Sequence, residues 1–103
     1  MLPIALFKVQ GRSMEPTMNQ GDYLVVTKFF KTRALRSGFL VLVEHPSLGR
    51  IVKRIARVEP TGVWLKGDSV QSTSSASMGL LAFKNIEGRV RVVISPSGIK
   101  LAV

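Results

Sequence analysis

Ser13-Met14-Glu15-Pro16-Thr17-Met18-Asn19-Gln20-Gly21-Asp22 lies between two short apolar runs, Ala5–Gln10 and Tyr23–Phe29. Pro16 fixes its own φ and disfavours helical geometry at Glu15, so the stretch does not continue as a helix. Gly21-Asp22 is a turn signal that sends the chain back into Tyr23–Phe29. Met14 and Met18 are the apolar members able to bury and anchor the turn. Gly11 precedes Ser13 by two residues and allows a sharp bend with close backbone approach. The stretch therefore reads as a loop between two strands that presents one serine.

Further along the chain the same rhythm repeats. Short segments rich in Val, Ile, Leu and Phe recur at intervals of about ten residues, the pattern of an all-β domain. The predicted strands are Ala5–Gln10, Tyr23–Phe29, Phe39–Val43, Arg50–Glu59, Val63–Lys66 and Arg89–Ile94. Turn residues separate them: Ser37-Gly38, His45-Pro46 with Gly49, Pro60-Thr61-Gly62, Gly67-Asp68 and Pro96-Ser97-Gly98. Lys28–Arg36 has room for one turn of helix. Ser69–Ser77 holds five serines and a threonine and reads as a loop inserted between strands, the sort of long loop that often carries function. No repeat or linker divides residues 1–103, which read as a single domain.

Composition narrows the possibilities. With 103 residues, 46% of them hydrophobic, the chain suits one compact core rather than a disordered segment. It has no cysteine and one histidine, which excludes a disulfide framework, a thiol nucleophile and a cysteine-ligated metal site. No cofactor or metal is expected. No segment reaches the roughly 18–20 apolar residues that cross a bilayer, and Met1–Phe7 lacks the features of a secretory leader. The expectation is a protein without a membrane span, placed in the cytoplasm. A formal charge of +9, from 15 basic and 6 acidic residues, attracts polyanions in general. The basic residues are scattered from Lys8 to Lys100 without a run, so no nucleic-acid partner is expected.

Two side chains carry chemistry. A serine hydroxyl is a nucleophile only when a nearby base takes its proton, and Ser13 is the serine that the loop displays. Lys53 lies in Ile51-Val52-Lys53-Arg54-Ile55-Ala56-Arg57-Val58, where alternation puts it on one face with Ile51 and Ile55. If that face is the core, desolvation lowers the lysine pKa and a neutral amine can serve as general base. The opposite face, with Val52, Ala56 and Val58, is apolar too and carries Arg54, so periodicity leaves open which basic residue points inward. His45, at the end of a strand before Pro46, is the alternative base and sits where a turn is expected. Asp22 and Asp68 each follow a glycine and read as turn residues. Trp64 and Val63 read as a packed strand face.

The residues resemble the signal-peptidase-like serine protease superfamily, which includes type I signal peptidases and the LexA-type self-cleaving repressors. Ser13-Met14-x-Pro16-Thr17-Met18-x-x-Gly21-Asp22 is similar to the nucleophile box, and Lys53-Arg54-Ile55 to the general-base box. Arg36-Ser37-Gly38-Phe39 matches loosely the box built on Arg-Gly-Asp. Gly67-Asp68-Ser69 with the serine-rich stretch resembles the last box. The resemblance implies bent antiparallel sheets forming a partly open barrel, Ser13 as nucleophile, Lys53 as base and an extended polypeptide as substrate. It also implies that Ser72 supports the lysine, and that backbone N–H groups near Gly11 and Ser13 receive the oxyanion. Ser74 and Ala76 stand where the family has an aspartate and an arginine, so that ion pair is expected to be lost. Short length, Glu44-His45-Pro46 and Gly62-Val63-Trp64-Leu65-Lys66-Gly67-Asp68 look most like nickel-type superoxide dismutase maturation proteases, which implies removal of an N-terminal extension from a precursor. The rival readings are a basic β-barrel that binds nucleic acid and a catalytically inactive peptide-binding relative.

Overall fold

Turn residues divide the chain into strands, as expected, and the strands form one antiparallel sheet curled into a half-barrel. The computed structural model describes residues 3–28, 31–70 and 78–102. Its strands are β1 (Ile4–Lys8), β2 (Tyr23–Thr27), β3 (Leu40–His45), β4 (Gly49–Glu59), β5 (Gly62–Lys66), β6 (Leu80–Ala82), β7 (Ile86–Ser95) and β8 (Gly98–Leu101). The possible helical turn is a short 3-10 turn at Thr32–Ala34. A second such turn, Phe83–Asn85, joins β6 to β7.

The strand order is β1-β2-β7-β3-β4-β5-β6, with β8 also paired to β7. Tight turns join β3 to β4, β4 to β5 and β7 to β8, and β7 joins the halves: its Arg89–Ile94 portion pairs β2, and its Ile86–Arg89 portion pairs β3. Registers shift at Val25/Val26, Leu42/Val43 and Ile55/Arg57, and such bulges bend strands and increase their twist. At Gly88 an added Cβ would stand 2.5 Å from Val26 Cγ1 and 2.7 Å from the Thr27 carbonyl oxygen, so only glycine lets β2 cross so closely.

β3 is buried on both sides, which explains its unbroken apolar run. Leu40 and Leu42 enter one core cluster with Met14, Met18, Leu24, Val26, Val52, Val90 and Val93. Val41 and Val43 enter a second with Leu35, Ile55, Val63, Leu65, Met78, Leu81 and Ile86. Two sequence expectations need correction. The strand expected at Arg89–Ile94 starts at Ile86, and β6 and β8 were not anticipated. β6 has only three residues, and every residue of β8 is exposed, so neither shows an alternating pattern. On the strand face read at Val63 and Trp64, Val63 is buried, whereas Trp64 is half-buried and its ring N–H donates to the Glu59 carboxylate at 2.8 Å.

Candidate active site

The Ser13 loop is held at both ends. Val9 N–H donates to the Asp22 carbonyl at 2.8 Å, and Gly21 N–H returns a bond to the Val9 carbonyl at 3.0 Å, which continues the β1–β2 ladder beneath the loop. Asp22 is buried and its carboxylate accepts the Asn19 N–H at 2.9 Å, the turn role read from Gly21-Asp22. Between these ends Met14 and Met18 are 3% and 1% exposed and belong to the first core cluster. The Glu15–Pro16 peptide bond is cis, and Gly11 adopts φ +77°, a left-handed conformation that side chains strain. The residue between the two anchored parts, Ser13, stays half-buried.

Ser13 lines a hollow of 240 Å³ together with Gln10, Gly11 and Met14 on its own loop and Ile51 and Val52 of β4. Lys53 follows directly in β4. It lies opposite Val41 of β3, on the Ile51 and Ile55 side of the strand, and is 4% exposed. Burial there pushes the ammonium pKa below its ordinary value. Among the described residues the Lys53 amine has no ion pair and no hydrogen bond, and none joins it to the Ser13 hydroxyl. Ile51, two residues before Lys53 on the same side, is a wall of the hollow on which Ser13 opens.

The next residue, Arg54, points to the other side of β4 and gathers the surrounding segments. Its Nε donates to Asp68 Oδ1 at 2.8 Å and its Nη2 to Asp68 Oδ2 at 2.7 Å, a bidentate fork. Its Nη1 donates to the Gly38 carbonyl at 2.7 Å. The Asp68 carboxylate also accepts the Thr17 hydroxyl. One residue on, Ser69 N–H donates to the Ser13 carbonyl at 2.9 Å. Arg54 holds the Asp68 carboxyl below the usual carboxylate range, with Thr17 adding to the effect, and the guanidinium pKa is raised in return. Four segments distant in sequence are thus tied together: the serine loop, Gly38, the lysine strand and Gly67-Asp68-Ser69.

Asp68 and Arg54 were not singled out from the sequence as a pair. Asp68 is more than a turn residue, and its partner was detectable. A β4–β5 hairpin turning at Pro60-Thr61 sets Arg54 opposite Lys66, within two residues of the Asp68 carboxylate. Ser72, with Ser74 and Ala76, lies outside the described residues. His45 is buried, and backbone groups use both its ring nitrogens: Nδ1 accepts Ser47 and Leu48 N–H at 3.0 and 3.1 Å, and Nε2 meets the Met78 carbonyl at 2.9 Å. Since Nδ1 accepts, the proton sits on Nε2 and is donated to Met78. That leaves no ring nitrogen to serve as a base.

A family profile described as Peptidase S24-like matches residues 3–72, from β1 through the segment after β5. No curated protein matches the chain.

Proposed function

The chain belongs to the S24-like peptidase family, and from that membership we propose a serine endopeptidase that works through a Ser13–Lys53 dyad. The family implies a polypeptide substrate. Lys53 would accept the Ser13 proton while Ser13 attacks the scissile carbonyl. The resulting acyl-enzyme would be hydrolysed by water, with Lys53 returning and then retaking a proton. Backbone N–H groups at the Gly11–Ser13 bend would receive the oxyanion. The Ser13 hydroxyl and the Lys53 amine would come into hydrogen-bond contact as substrate binds, as catalytic contacts commonly do.

One observation carries this reading. Lys53 is a buried amine with no carboxylate partner among the described residues, and its pKa is lowered by desolvation. A lysine kept there for structure alone would be expected to have a counter-ion, because an unpaired buried ammonium is costly. Asp68, held beside the serine loop, is taken by Arg54 and Thr17.

The substrate we infer is a precursor carrying an N-terminal extension, that of nickel-type superoxide dismutase, acted on in the cytoplasm. Incubating the protein with that precursor and weighing the products tests the reading. Release of one N-terminal fragment is expected, and Ser13→Ala and Lys53→Ala should each abolish it while leaving near-ultraviolet circular dichroism unchanged. Undiminished cleavage by either variant would remove that residue from the dyad. An intact precursor with the unaltered protein would remove the proposed substrate.

A further inference from the structure

β4 outlasts one of its neighbours. β3 accompanies it only to the Leu40–Arg54 pair, where Gly38 N–H to the Ile55 carbonyl and Ile55 N–H to the Phe39 carbonyl close the contact. β5 follows β4 on the other side as far as Glu59. Beyond Ile55, the β4 edge that faced β3 therefore pairs with no strand among the described residues. The Ala56 carbonyl is covered by the Ser37 hydroxyl at 3.0 Å. The exposed edge forms one wall of a 620 Å³ cleft, whose other wall is the segment around the Thr32–Ala34 turn. Leu35, Val58 and Phe83 supply apolar surface, and Arg33, Arg36 and Arg57 supply charge.

The charge is one-sided. Glu59 is the only carboxylate lining the cleft among the described residues, and it already accepts from Arg57 at 2.6 Å and from Trp64 at 2.8 Å. Arg33 and Arg36 have no ion pair among the described residues. Arg36 Nη1 instead donates to the Arg33 and Leu35 carbonyls at 2.8 and 2.9 Å, which fixes its guanidinium at the rim. An open strand edge offers main-chain donors and acceptors in a row, which a polypeptide can match and a lipid headgroup does not. A second copy of the chain would bring arginine against arginine, at +9 on each copy.

We propose that this cleft docks an extended polypeptide segment with carboxylates and apolar side chains in alternation, added as a strand to the free edge of β4. That the segment belongs to the precursor rests on the peptidase reading above. Val52 in the Ser13 hollow and Val58 in the cleft are six residues apart on β4, which is about 20 Å along a strand. The cleft would thus hold a part of the substrate away from the bond being cut, and would select precursors by that part.

Binding is measured first on the Ser13→Ala protein, so that turnover plays no role. The probe is a fluorescein-labelled Asp-Leu-Asp-Phe-Asp-Leu-Asp peptide, read by anisotropy. Saturable binding is expected, weakened tenfold or more by Arg33→Ser with Arg36→Ser and by Arg33→Ser alone to a lesser degree. Replacing the peptide's aspartates with lysines, or methylating alternate backbone nitrogens, should weaken it comparably. Lys8→Ser with Arg91→Ser removes equal charge elsewhere and should change little. Equal loss from both pairs would mean diffuse attraction and overturn the proposal. So would full binding by the methylated peptide, or binding to phosphatidylglycerol vesicles through Arg33 and Arg36 without peptide binding. With active protein and precursor, the arginine pair should raise KM at unchanged kcat and leave a short scissile-site peptide unaffected; an unchanged KM would overturn the precursor as occupant. Failure to cleave at all would count against the peptidase reading while the anisotropy result still judged the cleft.

Discussion

Asp68 grips Arg54 through two parallel hydrogen bonds of 2.8 and 2.7 Å, and this fork places the residue after the candidate base within reach of the loop that bears the candidate nucleophile. Thr17 reaches Asp68 from within that loop, and Ser69 binds the Ser13 carbonyl beside it. The positions of Ser13 and Lys53 thus depend on a carboxylate that touches neither side chain.

Asp68→Asn keeps the shape and removes the charge, leaving Arg54 partly buried without its partner. The cost should be about 2 kcal/mol, between the values for exposed and buried pairs. Because Asp68 is a depressed acid, its contribution is present above the ordinary carboxylate pKa and disappears as pH falls through the folded value. Urea unfolding of both proteins at pH 7 and pH 3 checks this, and the difference between them should shrink at the lower pH. Cleavage per folded molecule should fall tenfold or more, since small displacements of reacting groups are expensive.

Lys53→Met should abolish cleavage and yet stabilise the fold by roughly 1–2 kcal/mol at neutral pH, because a buried unpaired amine is replaced by an apolar chain of similar length. With its pKa lowered by burial, Lys53 binds fewer protons in the folded protein than in the unfolded chain. Stability of the unaltered protein should therefore rise with pH, from the folded-state pKa up to the ordinary lysine value of 10.5, and the Met variant should lack that rise. Cleavage rates should climb with pH as the amine loses its proton. A flat pH profile in the unaltered protein would show that another group limits the reaction.

Met18→Ala opens a void beneath the serine loop. A side chain only 1% exposed should cost about 2–4 kcal/mol on truncation, measured by chemical denaturation. Cleavage should fall more than the folded fraction does, since Met18 seats the turn carrying Ser13.

His45→Ala strands two backbone N–H groups and the Met78 carbonyl, and should cost about 2 kcal/mol. Its kcat, measured well below the unfolding temperature, should match that of the unaltered protein. A large loss of kcat would return His45 to the catalytic machinery.

The strands from β1 to β5 were legible because Gly, Pro and Asp mark their ends and Val, Ile and Leu fill them. Leu80–Ala82 and Gly98–Leu101 were not, since they take their structure from pairing with β5 and β7 rather than from any pattern of their own. The burial of Lys53 could be stated only conditionally. Both faces of Ile51–Val58 are apolar, and only the tertiary packing of β4 against β3 decides that lysine turns to the Val41 side and arginine to Asp68. The β4–β5 register brings Arg54 within two residues of Asp68, but the bidentate geometry of the fork depends on how Gly67-Asp68 folds back, which strand alternation does not encode.

β2 finds its second neighbour only in Arg89–Ile94, and the methionines under the serine loop pack on Val90 and Val93 from the same strand. A growing chain on the ribosome lacks part of the packing beneath Ser13 until residue 93 has been made. Synthesis from the N-terminus thus delivers the candidate nucleophile early and part of its foundation late.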